Sequence, residues 1–120
     1  RPDYALGAHV APLGLAFSHG QALGKPFASG AVVARHGSWN RQPLAGYDVV
    51  YVNFNQRGDP EGKPVTLLSG FVDDEDEARG RPTMVAFDQT GALLVSDDVG
   101  GIIWRVSRAE AARPEAAAKK

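Results

Sequence analysis

Apolar residues in this chain fall in short runs separated by Gly, Pro, Asn and Asp, and no run keeps a helical period. The pattern predicts seven strands, at about Leu13–Ser18, Gly30–His36, Tyr47–Phe54, Pro64–Val72, Pro82–Asp88, Ala92–Asp97 and Ile102–Ser107. Val, Ile, Tyr and Phe dominate these runs, as a pleated, half-buried surface prefers. The one segment with helix-forming composition, Arg108–Lys120, is interrupted by Pro114 and has no apolar stripe, so a flexible tail is expected over 108–120. The fold class is all-β.

The runs also repeat. Pro12-Leu13-Gly14-Leu15-Ala16-Phe17 is echoed by Pro82-Thr83-Met84-Val85-Ala86-Phe87, and Gly30-Ala31-Val32-Val33-Ala34-Arg35 by Gly91-Ala92-Leu93-Leu94-Val95-Ser96. Tyr47–Val52 is matched more loosely by Gly101–Val106, in the same order. A tandem antiparallel unit of this kind is a β-propeller blade. Residues 7–72 make a four-stranded first blade and 79–107 a last blade of three strands, so residues 1–107 hold two blades. The missing strand is expected from elsewhere, as ring closure by the N-terminus of a longer chain would supply it. Val33, Val50 and Leu94 are expected to face the interface between the sheets.

Composition narrows the function without choosing it. The chain has 120 residues, 43% of them hydrophobic, and a formal charge of −1, so no global field draws it to nucleic acid. No apolar run is long enough for a membrane span. The absence of cysteine removes disulfides, thiolate metal sites and cysteine nucleophiles, and the three histidines are too scattered for a zinc site. The acidic run Asp73–Glu77 lacks the Gly and Glu spacing of a calcium loop, and Asp97-Asp98 before Val99-Gly100-Gly101 reads as a turn. Arg1-Pro2-Asp3-Tyr4 does not start like a signal peptide, and a chain beginning without Met has the look of a processed or excised piece.

Arg79-Gly80-Arg81 carries the sharpest chemical signal. Residues i and i+2 of an extended chain point to one side, which would set two planar guanidinium forks on a shared face, able to bind anionic oxygens in pairs. The competing reading is that both merely offset Asp73–Glu77. Neither side chain is needed for strand pairing, so Ala at either position is expected to leave the fold intact. His36, Asn40 and Arg41 follow a strand end, where loops gather ligands. His36 there reads as hydrogen-bonded structure more than as a proton acceptor, and Trp39 as a packing residue at least as much as a stacking one.

His36-Gly37-Ser38-Trp39-Asn40-Arg41, the preceding Val10–Phe17 and the closing Leu93–Asp98 with Ile103–Val106 occur together in this order. From about Gly7 to Ser107 the chain resembles the C-terminal part of the glucose/sorbosone dehydrogenase family. The resemblance implies a six-bladed propeller oxidoreductase, periplasmic or extracellular, that uses pyrroloquinoline quinone (PQQ) to oxidise a sugar or aldehyde substrate. It further implies cofactor contacts from Arg79, Arg81, Arg41 and His9, with calcium and the proton-accepting His supplied by blades outside this chain. No catalytic or metal-ligating residue is then expected here, and the chain alone should not turn over substrate. Its partners would be the remaining blades. The alternative is a non-enzymatic repeat module whose copies assemble into a closed propeller, three two-blade chains reaching six.

Overall fold

The computed structural model describes residues 1–109, and residues 110–120, which hold most of the expected tail, lie outside the described residues. Seven strands form two antiparallel sheets. β1 (Pro12–Phe17), β2 (Gly30–Arg35), β3 (Asp48–Phe54) and β4 (Pro60–Leu68) build the first in sequential order. β5 (Pro82–Phe87), β6 (Leu93–Asp97) and β7 (Ile102–Val106) build the second, also in sequential order. The only helical piece among the described residues is a 3₁₀ turn at Lys25–Phe27. Arg108, at the start of the expected tail, donates its N–H to Ala22 O at 2.7 Å.

Six strands begin and end within one residue of the expected bounds, and the fourth is displaced toward the N-terminus. Pairing starts at Phe54↔Pro60 and Asn53↔Glu61 and ends at Leu68, after which Ser69-Gly70 turns the chain and Val72 makes only an isolated bridge to Ala78. The polar stretch Pro60–Lys63 reads poorly as strand, yet β4 is the edge of its sheet, where prolines and polar side chains cost little.

The sheets pack face to face around Leu23, Val32, Ala34, Val49, Tyr51, Val85, Leu93 and Val95. Tyr51 is buried in this layer, and its hydroxyl accepts the Ser29 N–H at 3.2 Å and donates to Asn53 Oδ1 at 3.3 Å. Burial is the main cause of its raised pKa. β1 and β5 lie side by side, close enough that a Cβ on Gly14 would sit 2.7 Å from both Met84 Cα and Thr83 O.

The expected inward set is corrected. Val33 and Val50 are cross-strand partners on the opposite face of the first sheet, grouped with Leu15, Phe17, Val52 and Phe54 beside Tyr4 and Leu6. Leu94 belongs with Met84, Ala86 and Ile103 on the outer face of the second. The physical reason is that β2 and β3 are apolar on both faces, so alternation marks two faces without saying which meets the other sheet. Both outer faces keep apolar groups in solvent, with Leu15 62% and Ile103 71% exposed.

Candidate functional site

Antiparallel order collects four segments at one end of the sheets: the residues before β1, the β2–β3 loop, the stretch before β5 and the β6–β7 turn. His9, Arg41, Arg79 and Arg81 all lie at this end. Side-chain bonds join its segments across the two sheets.

The β2–β3 loop is folded on itself and on the chain before β1. His36 and Gly37 N–H groups donate to Ala11 O and Val10 O, each at 2.9 Å. Ser38 N–H donates to Ala45 O at 2.9 Å, the Ala45 N–H returns to Ser38 Oγ at 3.0 Å, and the Tyr47 hydroxyl donates to Ser38 O. Gly37 is required twice over, because its φ is +104° and a Cβ would fall 2.2 Å from the Tyr47 ring.

Arg81 reaches across from the second unit. Its Nε donates to His36 O at 3.2 Å and its Nη2 to Gly37 O at 2.7 Å, with the guanidinium 5.0 Å from the centre of the Tyr47 ring. Beneath it Asp97, 4% exposed, accepts the Arg81, Val99 and Gly100 N–H groups on Oδ1 and the Trp104 indole N–H on Oδ2, at 2.9–3.3 Å. Burial pushes the Asp97 carboxyl up, but the N–H donors of Arg81, Trp104, Gly100 and Val99 together hold it below the ordinary value. The turn expected at Asp97-Asp98 is therefore present, and it also anchors the segment before β5. Asp98 meets His36 Nε2 at 3.1 Å, so His36 is hydrogen-bonded across the two units. Asp76 closes the far side by accepting the Leu44 N–H at 3.0 Å.

The shared face expected of Arg79 and Arg81 does not form. Arg79 sits in a bend, not in extended chain, and directs Nη2 and Nε to Asp73 Oδ2 at 2.6 and 2.7 Å while staying 67% exposed. Asp73 is held below the usual carboxylate range first by the Glu77 N–H, with the Glu75 N–H and Arg79 adding to it. Thus one arginine meets the acidic run and the other meets main-chain carbonyls of the neighbouring sheet. Among the described residues Arg41 makes no ion pair, and its one side-chain hydrogen bond is a long one from Nη1 to Ala8 O at 3.4 Å. His9, with φ +63°, borders a cleft of about 400 Å³ together with Ala11, Gly37, Ser38, Trp39 and Asn40. Trp39 is not packed against either sheet but is 82% exposed at the rim of this cleft. Among the described residues no three of His, Cys, Asp or Glu gather as metal ligands.

Neither arginine side chain takes part in strand pairing, but Arg81 adds a tie between the two units through His36 O and Gly37 O. Arg81→Ala should lower unfolding free energy by about 2 kcal/mol, since two charge-assisted bonds and a cation–π contact between the sheets are lost. Arg79→Ala, which removes an exposed pair, should change it by less than about 0.5 kcal/mol. Urea titration of both variants checks the contrast. Equal losses would mean that Arg81 does not bridge the sheets.

Two consecutive antiparallel sheets, joined at one end by a loop network bearing guanidinium groups, define an all-β repeat of propeller-blade type. The chain belongs to the TrAA12-like family, whose sequence pattern matches residues 1–109. It is 35% identical over 103 residues to an uncharacterized protein of Borreliella burgdorferi, covering 86% of this chain and 27% of that protein. It is 30% identical over 125 residues to the pyrroloquinoline quinone-dependent pyranose dehydrogenase of Coprinopsis cinerea, covering 90% of this chain and 16% of that one. The holo PQQ domain of the Coprinopsis pyranose dehydrogenase superposes with a TM-score of 0.65 at 31% identity, over 83% of this chain and 27% of that domain. The calcium structure of the Trichoderma reesei carbohydrate-active enzyme of family AA12 gives a TM-score of 0.65 at 28% identity, over 80% of this chain and 24% of that one. This chain therefore spans about a quarter or less of each relative's length. The chain is thus homologous to the PQQ domain of pyranose dehydrogenase, so the quinoprotein relationship is met through the AA12 proteins, whereas the sequence resemblance had pointed to the glucose/sorbosone dehydrogenases.

Proposed function

We propose that this chain forms two adjoining blades of an exported, PQQ-dependent sugar oxidoreductase, and that its loop end helps to hold the cofactor. The observation that carries the reading is the pair Arg41 and Arg81, whose guanidinium groups lie at the loop end without a carboxylate partner among the described residues, in a chain homologous to a PQQ domain. The donor set fits a tricarboxylate in part. Arg81 uses two of its five N–H groups on His36 and Gly37 carbonyls, which fixes the fork and leaves its other N–H groups for an anion. Arg41 is nearly uncommitted, and Arg79 offers only the N–H groups that Asp73 does not take. When bound, the quinone supplies the hydride acceptor for oxidation of a sugar carbon bearing a hydroxyl. The residues of this chain contribute binding and orientation, while the proton acceptor and calcium ligands are assigned to other blades. Apolar outer faces on both sheets support further blades on either side, as a propeller would place them.

Arg41→Ala in the complete propeller should weaken PQQ binding by about ten- to a hundredfold, the worth of one charge-assisted bond, and Arg41→Lys should recover part of it. Cofactor titration followed by quinone absorbance measures this. Unchanged affinity in both variants would remove Arg41 from the cofactor site. Comparing glucose, sorbosone and other pyranoses as substrates then places the enzyme among the aldose, sorbosone or pyranose oxidisers.

A further inference from the structure

Among the described residues Trp39 is the most exposed large apolar side chain. The others, Val99 excepted, sit on β1, β4, β5 and β7, on faces or edges that a neighbouring blade or strand would cover. Trp39 instead lies in the β2–β3 loop, 82% exposed, on the rim of the cleft at the loop end. The main chain leading into it is held in place. The residue before it, Ser38, is 5% exposed and bonded through its N–H, its carbonyl oxygen and its side chain, and Gly37 before that is fixed by Val10 and Arg81. A large, flat aromatic face with only two side-chain torsions costs little to order when a ligand arrives.

We infer that Trp39, with Asn40 and His9, forms a stacking subsite for the pyranose ring of a neutral sugar. This rests on the sugar-oxidoreductase reading and deepens it by naming where the substrate ring is gripped. A pyranose presents C–H groups on its face and hydroxyls around its rim. The indole face suits the first, and the Asn40 amide and His9 imidazole, which line the same cleft, offer both donors and acceptors for the second. The cleft, at about 400 Å³, falls in the range of small-molecule sites. Its lining carries no carboxylate or guanidinium side chain, which suits an uncharged ring. Arg41, in the adjoining hollow with Gln42, Leu44 and Asp76, shares Trp39 and Asn40 with it, so a ring on Trp39 would lie next to the proposed cofactor contact.

The test compares Trp39→Ala and Trp39→Phe with the parent in the complete, PQQ-loaded protein. D-glucose is titrated calorimetrically into the reduced protein, which cannot turn over without an electron acceptor, and KM and kcat are measured separately with one. Trp39→Ala should weaken glucose binding and raise KM by about five- to tenfold with kcat and PQQ affinity within twofold, and Trp39→Phe should retain most of the affinity. Unchanged glucose affinity in Trp39→Ala overturns the subsite. Loss of PQQ affinity with unchanged glucose affinity overturns it in favour of a cofactor contact, and unfolding of both variants overturns it in favour of packing against another blade. A parent that binds neither PQQ nor glucose defeats the functional reading itself, and the subsite with it. Binding of PQQ by a parent that does not bind glucose defeats the subsite alone.

Discussion

Asp97→Ala is expected to lower the unfolding free energy of the protein by about 4 kcal/mol, the largest loss for any single side chain at the loop end. The carboxylate accepts three main-chain N–H groups and the Trp104 indole N–H. With Ala there, those donors are left facing a cavity, and the segment that carries Arg81 loses its anchor. Asp97→Asn should cost less, because the amide oxygen keeps part of the acceptor set, although its NH₂ then faces other donors. The pH dependence has a definite sign. The folded-state pKa of Asp97 lies below its ordinary value of 3.8, so its contribution is present above about pH 4 and is lost as pH falls through the lower, folded value. The difference in stability between parent and Asp97→Ala should therefore shrink in acid below pH 4. A constant difference down to pH 2, measured by urea unfolding, would mean that the charge itself does not matter.

Gly14→Ala is expected to destabilise by about 2–3 kcal/mol, and Gly14→Val by more. Gly to Ala ordinarily stabilises a strand position by about 0.4–1 kcal/mol through the unfolded chain, and Gly14 has no left-handed backbone that would forbid a side chain. The opposing term is larger. The added Cβ would press on Met84 Cα, Thr83 O and Val85 N at 2.7–2.9 Å, and main-chain atoms cannot rotate away. β1 and β5 would have to separate, opening the layer around Val32, Val85 and Val95. A neutral or stabilised Gly14→Ala in thermal unfolding would show that the two strands do not touch through their backbones.

Much of the architecture was legible because it is local. Tyr47–Phe54 and Ile102–Val106 announce themselves by β-branched and aromatic content, and the Pro12–Phe17 and Pro82–Phe87 echo located the two sheets. The direction in which each strand faces was not legible. Val32 and Val33 are both apolar neighbours, and only the position of the second sheet decides that Val32 meets it. The site divides in the same way. The topology brings His9, Arg41, Arg79 and Arg81 to one end. The fate of each guanidinium depended on the bend at Arg79 and on two carbonyls contributed from 45 and 44 residues away, which no spacing rule encodes. Trp39 is a parallel case. A Trp after Gly-Ser is ambiguous until the loop is seen to bury Ser38 and turn the indole outward.

The stitching of the β2–β3 loop also bears on how this family can change. At the opposite end of the first sheet, the turn between β3 and β4 satisfies itself: the Asn55 side chain accepts the Arg57 and Asp59 N–H groups, and Gly58 bonds back to Asn55 O. Inserted or deleted residues there disturb one hairpin and nothing beyond it. The loop from His36 to Gly46 has bonds to Val10, Asp76, Arg81 and Asp98, so altering its length shifts three other segments at once. Length variation among relatives should accordingly collect at the Asn55–Asp59 turn, while the ligand-facing loop changes by substitution at fixed length.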